Sequence, residues 1–292
     1  MKLNRKAVAL DTPADSYFSR HEFLIRRLHS LSGLIPVGAY MCIHLLTNAT
    51  VLDGPETFQK QVDAIHGLGI VLPVVEWVFI FIPILFHGII GVLMIRGMVP
   101  NTSSYPLSGN IRYTLQRATG MIAFAFIVWH VIHMHGFFGA PFKNVAVFPL
   151  PTGGAQFVPH EATSSTARAL QASIGVQILY AIGVLSCVYH LANGLWTMGI
   201  TWGVWTTPAA QRRANYVCGA FGVGLAAVGL SALFGMSTID VEDARIVERV
   251  HNQEREDRER QLKEMRSARA KTAAASRPVS ATNASTNTPP RD

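Results

Sequence analysis

Residues 74–95 read VVEWVFIFIPILFHGIIGVLMI, and this run decides the fold. It holds one carboxylate, Glu76, and one imidazole, His87; the remaining positions are apolar, glycine or proline. A helix needs about 20 mainly apolar residues to cross the hydrocarbon core of a bilayer, so the run is long enough to span a membrane. Working outward, four more stretches reach that length: 31–50 before it, then 116–137, 171–194 and 216–235. They are called spans I to V in chain order. The expectation is an all-α integral membrane protein, with a five-helix transmembrane domain over 31–236. An arm (1–30) precedes that domain and a polar tail (237–292) follows it.

Composition agrees. Hydrophobic residues make up 49% of the 292 and charged residues only 15%, against roughly 25% in an ordinary soluble domain. The net charge is +7, but the basic residues sit at span ends, where they set topology and meet lipid headgroups. No nucleic-acid recognition motif accompanies them. Cys42, Cys187 and Cys218 lie inside apolar runs and read as small buried hydrophobes. No C-x-x-C-H occurs, so a covalently attached haem is not expected. The polar start lacks the short apolar core of a cleavable signal, so span I is expected to be retained.

Charge also orients the chain. Lys2, Arg5, Lys6, Arg20, Arg26 and Arg27 precede span I; Arg96, Arg112 and Arg117 fall in the II–III loop region; Arg212 and Arg213 lie between IV and V. The I–II connection has Lys60 against Asp53, Glu56 and Asp63, and the long III–IV connection has only Lys143 and Arg168. The positive-inside rule then places the N-terminus in the cytoplasm and, after five spans, the C-terminus outside. Residues 241–269 read as a polar helix laced with pairs such as Glu256–Arg260 and Glu259–Lys263. From Thr272 onward the composition reads as disorder.

One histidine falls deep in each of the first four spans: His44, His87, His130 and His190. Ionisable side chains inside a bilayer are costly and point to function; the alternative is a neutral core histidine donating to a carbonyl on a neighbouring helix. At 1.5 Å per residue, His44 lies about 20 Å along span I and His130 at a similar depth in span III. Spans II and IV run the other way, which brings His87 and His190 nearer the cytoplasm. The four sort into two layers, His44 with His130 and His87 with His190. Two ligands at one depth on different helices are what a six-coordinate haem needs. Zinc fits less well, because it takes three or four protein ligands. His133, almost one turn from His130, is the rival ligand on span III, although it and His135 read more readily as interfacial.

At these residues the sequence resembles the dihaem cytochrome b membrane subunit of succinate:menaquinone oxidoreductases and the related fumarate reductases. The matching blocks are RRLHSLSGLIPVG (26–38) with His44, FIPILFHG (81–88), LQRATG (115–120) leading to WHV (129–131), and YHLANGLW (189–196) followed by TWG (201–203). They run in family order and cover roughly residues 17–235. The resemblance implies two b haems in a bacterial-type cytoplasmic membrane. His44 and His130 would hold the outer, low-potential haem, and His87 and His190 the inner, high-potential one. It also implies a flavoprotein and an iron–sulfur subunit docked on the cytoplasmic face, where the dicarboxylate chemistry takes place. The chain itself carries no dinucleotide fingerprint and no iron–sulfur cysteine spacing.

Further residues follow from charge and place. Arg26, Arg27, His29 and Ser30 stand at the cytoplasmic mouth of span I and Arg117 at the start of span III, where cationic and hydroxyl groups suit anionic haem propionates. His29 and Ser30 match the family position near the inner propionate; the arginines alternatively serve as topology anchors. Glu76, at the outer end of span II, is a candidate for proton exchange with a quinone, expected to be menaquinone; the alternative is an interfacial glutamate facing water. Two other functions fit parts of the pattern. One is the membrane cytochrome of another quinol-oxidising complex such as a nitrate reductase. The other is a proton-coupled transporter with histidine relays, for which Pro83 offers a helix break but no relay partner stands out.

Overall fold

A computed structural model describes residues 17–95, 108–144 and 153–275. Lys2, Arg5, Lys6 and Arg96, together with the tail beyond Ala275, lie outside the described residues. The described residues are helical, and five helical stretches are long and apolar enough to cross a membrane: His21–Asp53, Gly69–Ile95, Gly109–Met134, Ile174–Thr201 and Pro208–Thr238. These are spans I to V.

The observed boundaries depart from the expected ones for identifiable reasons. Span I begins much earlier than residue 31, with α1 (Tyr17–Leu34), and breaks before α2 (Val37–Ala49). Pro36 supplies no N–H and restricts the residue before it, which separates the two helices. After α3 (Pro55–His66), span II opens with α4 (Leu72–Glu76). It widens into a π turn at Trp77–Phe81 and continues as α5 (Ile82–Ile95). Pro83 cannot donate to the carbonyl four residues back, which lies in that turn, so the helix relaxes there. Span III is α6 (Ser108–Met134), and the short α7 (Gly136–Gly139) follows it. Arg112 is therefore on a helix and not in a loop, and Arg117 lies two turns inside that helix. Span IV starts after α8 (Ala162–Gln171): α9 (Ile174–Thr201) is capped by Ser173, whose hydroxyl accepts from Val176 N–H at 3.2 Å. Span V is α10 (Pro208–Thr238), with Thr207 as cap and Pro208 in the first turn. Arg212 and Arg213 thus belong to its first turns.

Within the bundle α9 packs against α6 and α10, α10 against α2, and α1 against α5. One apolar cluster (Val51, Phe58, Val62, Phe126, Leu170, Tyr180, Met236) sits where the I–II and III–IV connections meet the bundle. A second (Leu45, Val188, Leu191, Leu225) lies between spans I, IV and V. Many large apolar side chains on the spans are exposed, among them Ile43, Phe79, Ile89, Ile178 and Val223. That is the surface a bilayer solvates.

The two connections on one side form a cap. Gln59 of α3 is fully buried; its amide donates to Pro159 O at 2.8 Å and accepts from Ala162 N–H at 3.0 Å. Glu248, also fully buried, accepts from the backbone N–H groups of Thr163 and Ser164 and from the Ser164 hydroxyl at 2.6 Å. A carboxylate at the exposed N–H groups of a helix start is favourable in charge and geometry. Glu248 belongs to the last helix, α11 (Val241–Ala275), whose residues up to 248 group with the bundle. Residues 249–275 form a separate helical unit, in which Arg260 pairs with Asp257 at 3.7 Å. The helix runs three residues past Thr272, where disorder is expected.

Candidate functional site

A cavity of about 980 Å³ is lined by residues of all five spans, and all four intramembrane histidines line it. They stand in the pairs expected from depth. The ring centres of His44 and His130 are 5.9 Å apart with planes crossing at 71°. Those of His87 and His190 are 6.0 Å apart with planes at 82°. A metal bridging two imidazole nitrogens at about 2.0 Å each sets ring centres roughly 6 Å apart. Among the described residues no three His, Cys, Asp or Glu side chains gather at metal-binding distance. Each layer therefore offers two protein donors, which suits a metal that brings its own equatorial ligands.

The second nitrogen of each ring decides which one is available. His87 Nδ1 lies 2.9 Å from the His29 carbonyl oxygen, and His190 Nδ1 lies 2.9 Å from that of Gln116. A carbonyl only accepts, so both neutral rings carry hydrogen on Nδ1 and keep the Nε2 lone pair, the usual arrangement of metal-binding histidine. The Asn48 amide donates to the His44 carbonyl at 2.7 Å and lies 3.4 Å from His44 Nε2. His130 Nδ1 meets a side chain instead, the Tyr180 hydroxyl at 3.2 Å.

Close helix approach holds the inner rings. A Cβ on Gly120 would lie 2.7 Å from His190 Cε1 and 2.9 Å from its Nδ1. A Cβ on Gly33 would fall inside the His87 ring's contact surface. His29, one turn before Gly33 on α1, stacks on His87 at 4.0 Å and 10°. These contacts leave each inner imidazole little freedom to turn.

The remaining expected residues are placed as follows. Arg26, Arg27, His29, Ser30 and Arg117 line the cavity at the His87 end. Arg26 pairs with Glu22 at 2.6 Å and reaches Met94 Sδ at 3.6 Å. Arg27 lies 5.0 Å from the rings of both Phe23 and Trp202. Arg117 folds onto Tyr113, donating to its hydroxyl and stacking over its ring. His29 Nδ1 is buried without a hydrogen-bond partner. At the other end Glu76 lines the cavity half-buried, its carboxylate 3.8 Å from His135 Nε2.

One expectation is corrected. His133 is not interfacial: it is 2% exposed, stacked on Trp129 at 4.6 Å, and outside the cavity lining. It turns toward Tyr180 of α9, and the α6 ring that faces His44 is that of His130. His135, just past the end of span III, lines the cavity beside Glu76.

Sequence reasoning missed several contributors. His66 of α3 lines the same end; burial pushes its imidazole below the ordinary histidine value, and the Glu76 carboxylate draws it partly back. A network backs His190. Arg112 donates to Asn193 at 2.9 Å and to Asn215 at 2.8 Å and lies 3.8 Å over Trp196. Asn193 donates to Gln116 at 2.7 Å, and Gln116 donates to the His190 carbonyl at 3.1 Å. The legible signal was Asn193, one helical turn after His190 on the same face.

No protein-family model matches the chain. It is similar to the succinate dehydrogenase cytochrome b558 subunit of Bacillus subtilis (strain 168), with 33% identity over 213 residues. That match takes in 73% of this chain and 96% of the other.

Proposed function

The chain belongs to the succinate dehydrogenase cytochrome b558 subunit family, and from that premise we propose that it anchors a succinate:quinone oxidoreductase and holds two b haems. It is thus a membrane subunit of an oxidoreductase complex, multi-pass and built on five apolar helices. His44 and His130 hold one haem; His87 and His190 hold the other. When bound, haem iron supplies reversible one-electron chemistry between a membrane quinone, menaquinone in this reading, and the iron–sulfur subunit. The observation that carries the proposal is the two ring separations of 5.9 and 6.0 Å in separate layers of one cavity.

The chain's residues do the positioning. The His29 and Gln116 carbonyls fix the hydrogen of His87 and His190 on Nδ1. Arg26, Arg27, His29, Ser30 and Arg117 supply donors for the anionic propionates of the inner haem, and the unpartnered His29 Nδ1 is open to one. Glu76, backed by His135 at 3.8 Å, exchanges a proton with quinone at the other end of the cavity. The basic residues before span I, with Arg112 and Arg117 in the first turns of span III, support an N-terminus and a His87 end in the cytoplasm, facing the flavoprotein and iron–sulfur subunits. The C-terminus lies outside. Glu248 bound to α8 supports this, since it keeps the residues after span V on the side of the III–IV connection.

The test is purification from membranes. The expected protein is red, with two b haems per polypeptide, low-spin bis-imidazole spectra, and co-purifying flavin and iron–sulfur subunits. A colourless protein overturns the proposal.

A further inference from the structure

Tyr180 of α9 stands between two imidazoles of α6. Its hydroxyl oxygen lies 3.2 Å from His130 Nδ1 and 3.0 Å from His133 Nδ1. The group is buried, with Phe126 and Trp129 packed edge-on to its ring at 5.4 Å each. A phenol has one hydrogen. A hydroxyl that donates to one of these histidines and accepts from the other makes the three groups a directed chain.

The chain has two orders of equal charge. In the first, His130 Nδ1–H donates to Tyr180, Tyr180 donates to His133 Nδ1, and His130 keeps its Nε2 lone pair. In the second, His133 Nδ1–H donates to Tyr180, Tyr180 donates to His130 Nδ1, and the His130 hydrogen moves to Nε2, blocking it. His133 is held for this role: it is 2% exposed, stacked on Trp129, and its Nε2 is buried without a partner in either order. The inner histidines have no such choice, because their Nδ1 partners are backbone carbonyls, which only accept.

We propose that Tyr180 is a positioning residue for the outer haem. With His133 behind it, it sets which His130 nitrogen faces the iron and raises the basicity of that ligand. The proposal rests on the reading of His44 and His130 as iron ligands. A neutral imidazole whose Nδ1–H is bonded to an acceptor is a stronger electron donor and favours ferric iron. Removing the acceptor raises the potential of that haem alone.

The test is Tyr180→Phe in the assembled complex, which keeps the ring packing and deletes the hydroxyl. Haem content is measured first, then the midpoint potential of each haem by spectroelectrochemical titration; the outer haem is identified as the one missing in His44→Ala. The expected result is two haems, with the outer potential raised by roughly a tenfold change in ferric over ferrous preference, about 59 mV for a one-electron couple. The inner potential stays in place. His133→Phe, which keeps the stack on Trp129, is expected to give a smaller shift of the same sign, because Tyr180 then accepts without donating onward. It serves as the readout should Tyr180→Phe not accumulate. Both haems present with an unmoved outer potential overturns the role of Tyr180. Fewer than two haems in the unaltered protein instead overturns the reading beneath it.

Discussion

Gly120→Ala tests the inner ligand pair directly. The added methyl would lie 2.7 Å from His190 Cε1 and 2.9 Å from its Nδ1. Carbon–carbon contact is favourable only at about 3.5–4.0 Å, so ring or helix must give by roughly 0.8 Å or more. The ring cannot retreat freely: its Nδ1 is tied to the Gln116 carbonyl at 2.9 Å, and its centre faces His87 at 6.0 Å. Gln116 sits on the same helix as Gly120, so sliding α6 away stretches that bond as it relieves the clash. Overpacking of this kind costs about 1–3 kcal/mol, which corresponds to roughly 5–150-fold weaker binding of whatever the two imidazoles hold. The assay is the extent of haem transfer from purified protein to an excess of haem-scavenging apoprotein, followed spectrally. The expected outcome is accelerated loss of one haem of two, the one also absent in His87→Ala. Gly224→Ala on span V, where a Cβ would meet nothing within 4 Å, is the control and should behave as the parent. Unchanged retention of both haems in Gly120→Ala would refute the reasoning that close helix approach aims His190.

Three further outcomes are expected. His44→Ala and His130→Ala should each remove the same haem, and His87→Ala and His190→Ala the other; a variant that removes both, or crosses the pairs, contradicts the layering seen in ring geometry. Glu76→Gln should abolish quinone turnover and leave both haem spectra intact, and normal turnover would take Glu76 out of the mechanism. Glu248→Ala leaves two backbone N–H groups and the Ser164 hydroxyl without their acceptor. A loss of about 1–3 kcal/mol or more is expected, read as a lowered thermal midpoint of the detergent-solubilised protein; an unchanged midpoint would show that the cap contributes nothing.

Much of this was open to reading because the bilayer imposes one dimension. A fixed rise per residue and a fixed hydrocarbon thickness turn residue number into depth. The spacing of His44, His87, His130 and His190 along their runs was therefore enough to sort them into the two pairs found in the structure. The ends of the spans were less legible. Polar first turns with Arg112 or Arg212 read as loop, yet they are helical, and Arg112 is satisfied by Asn193 and Asn215 on other helices. Local hydropathy carries no record of partners that far away in sequence.

The sequence by itself determined the all-helical membrane architecture, the number of spans and the position of each histidine along its span, because these depend only on what lies along one stretch of chain. The tertiary structure alone decided what stands beside each imidazole: Gly120 against His190, Tyr180 shared between His130 and His133, and Glu248 seated on α8. Lateral neighbours depend on how each helix is rotated and how closely it packs. Those quantities come from the mutual fit of all the helices, and no single stretch encodes them.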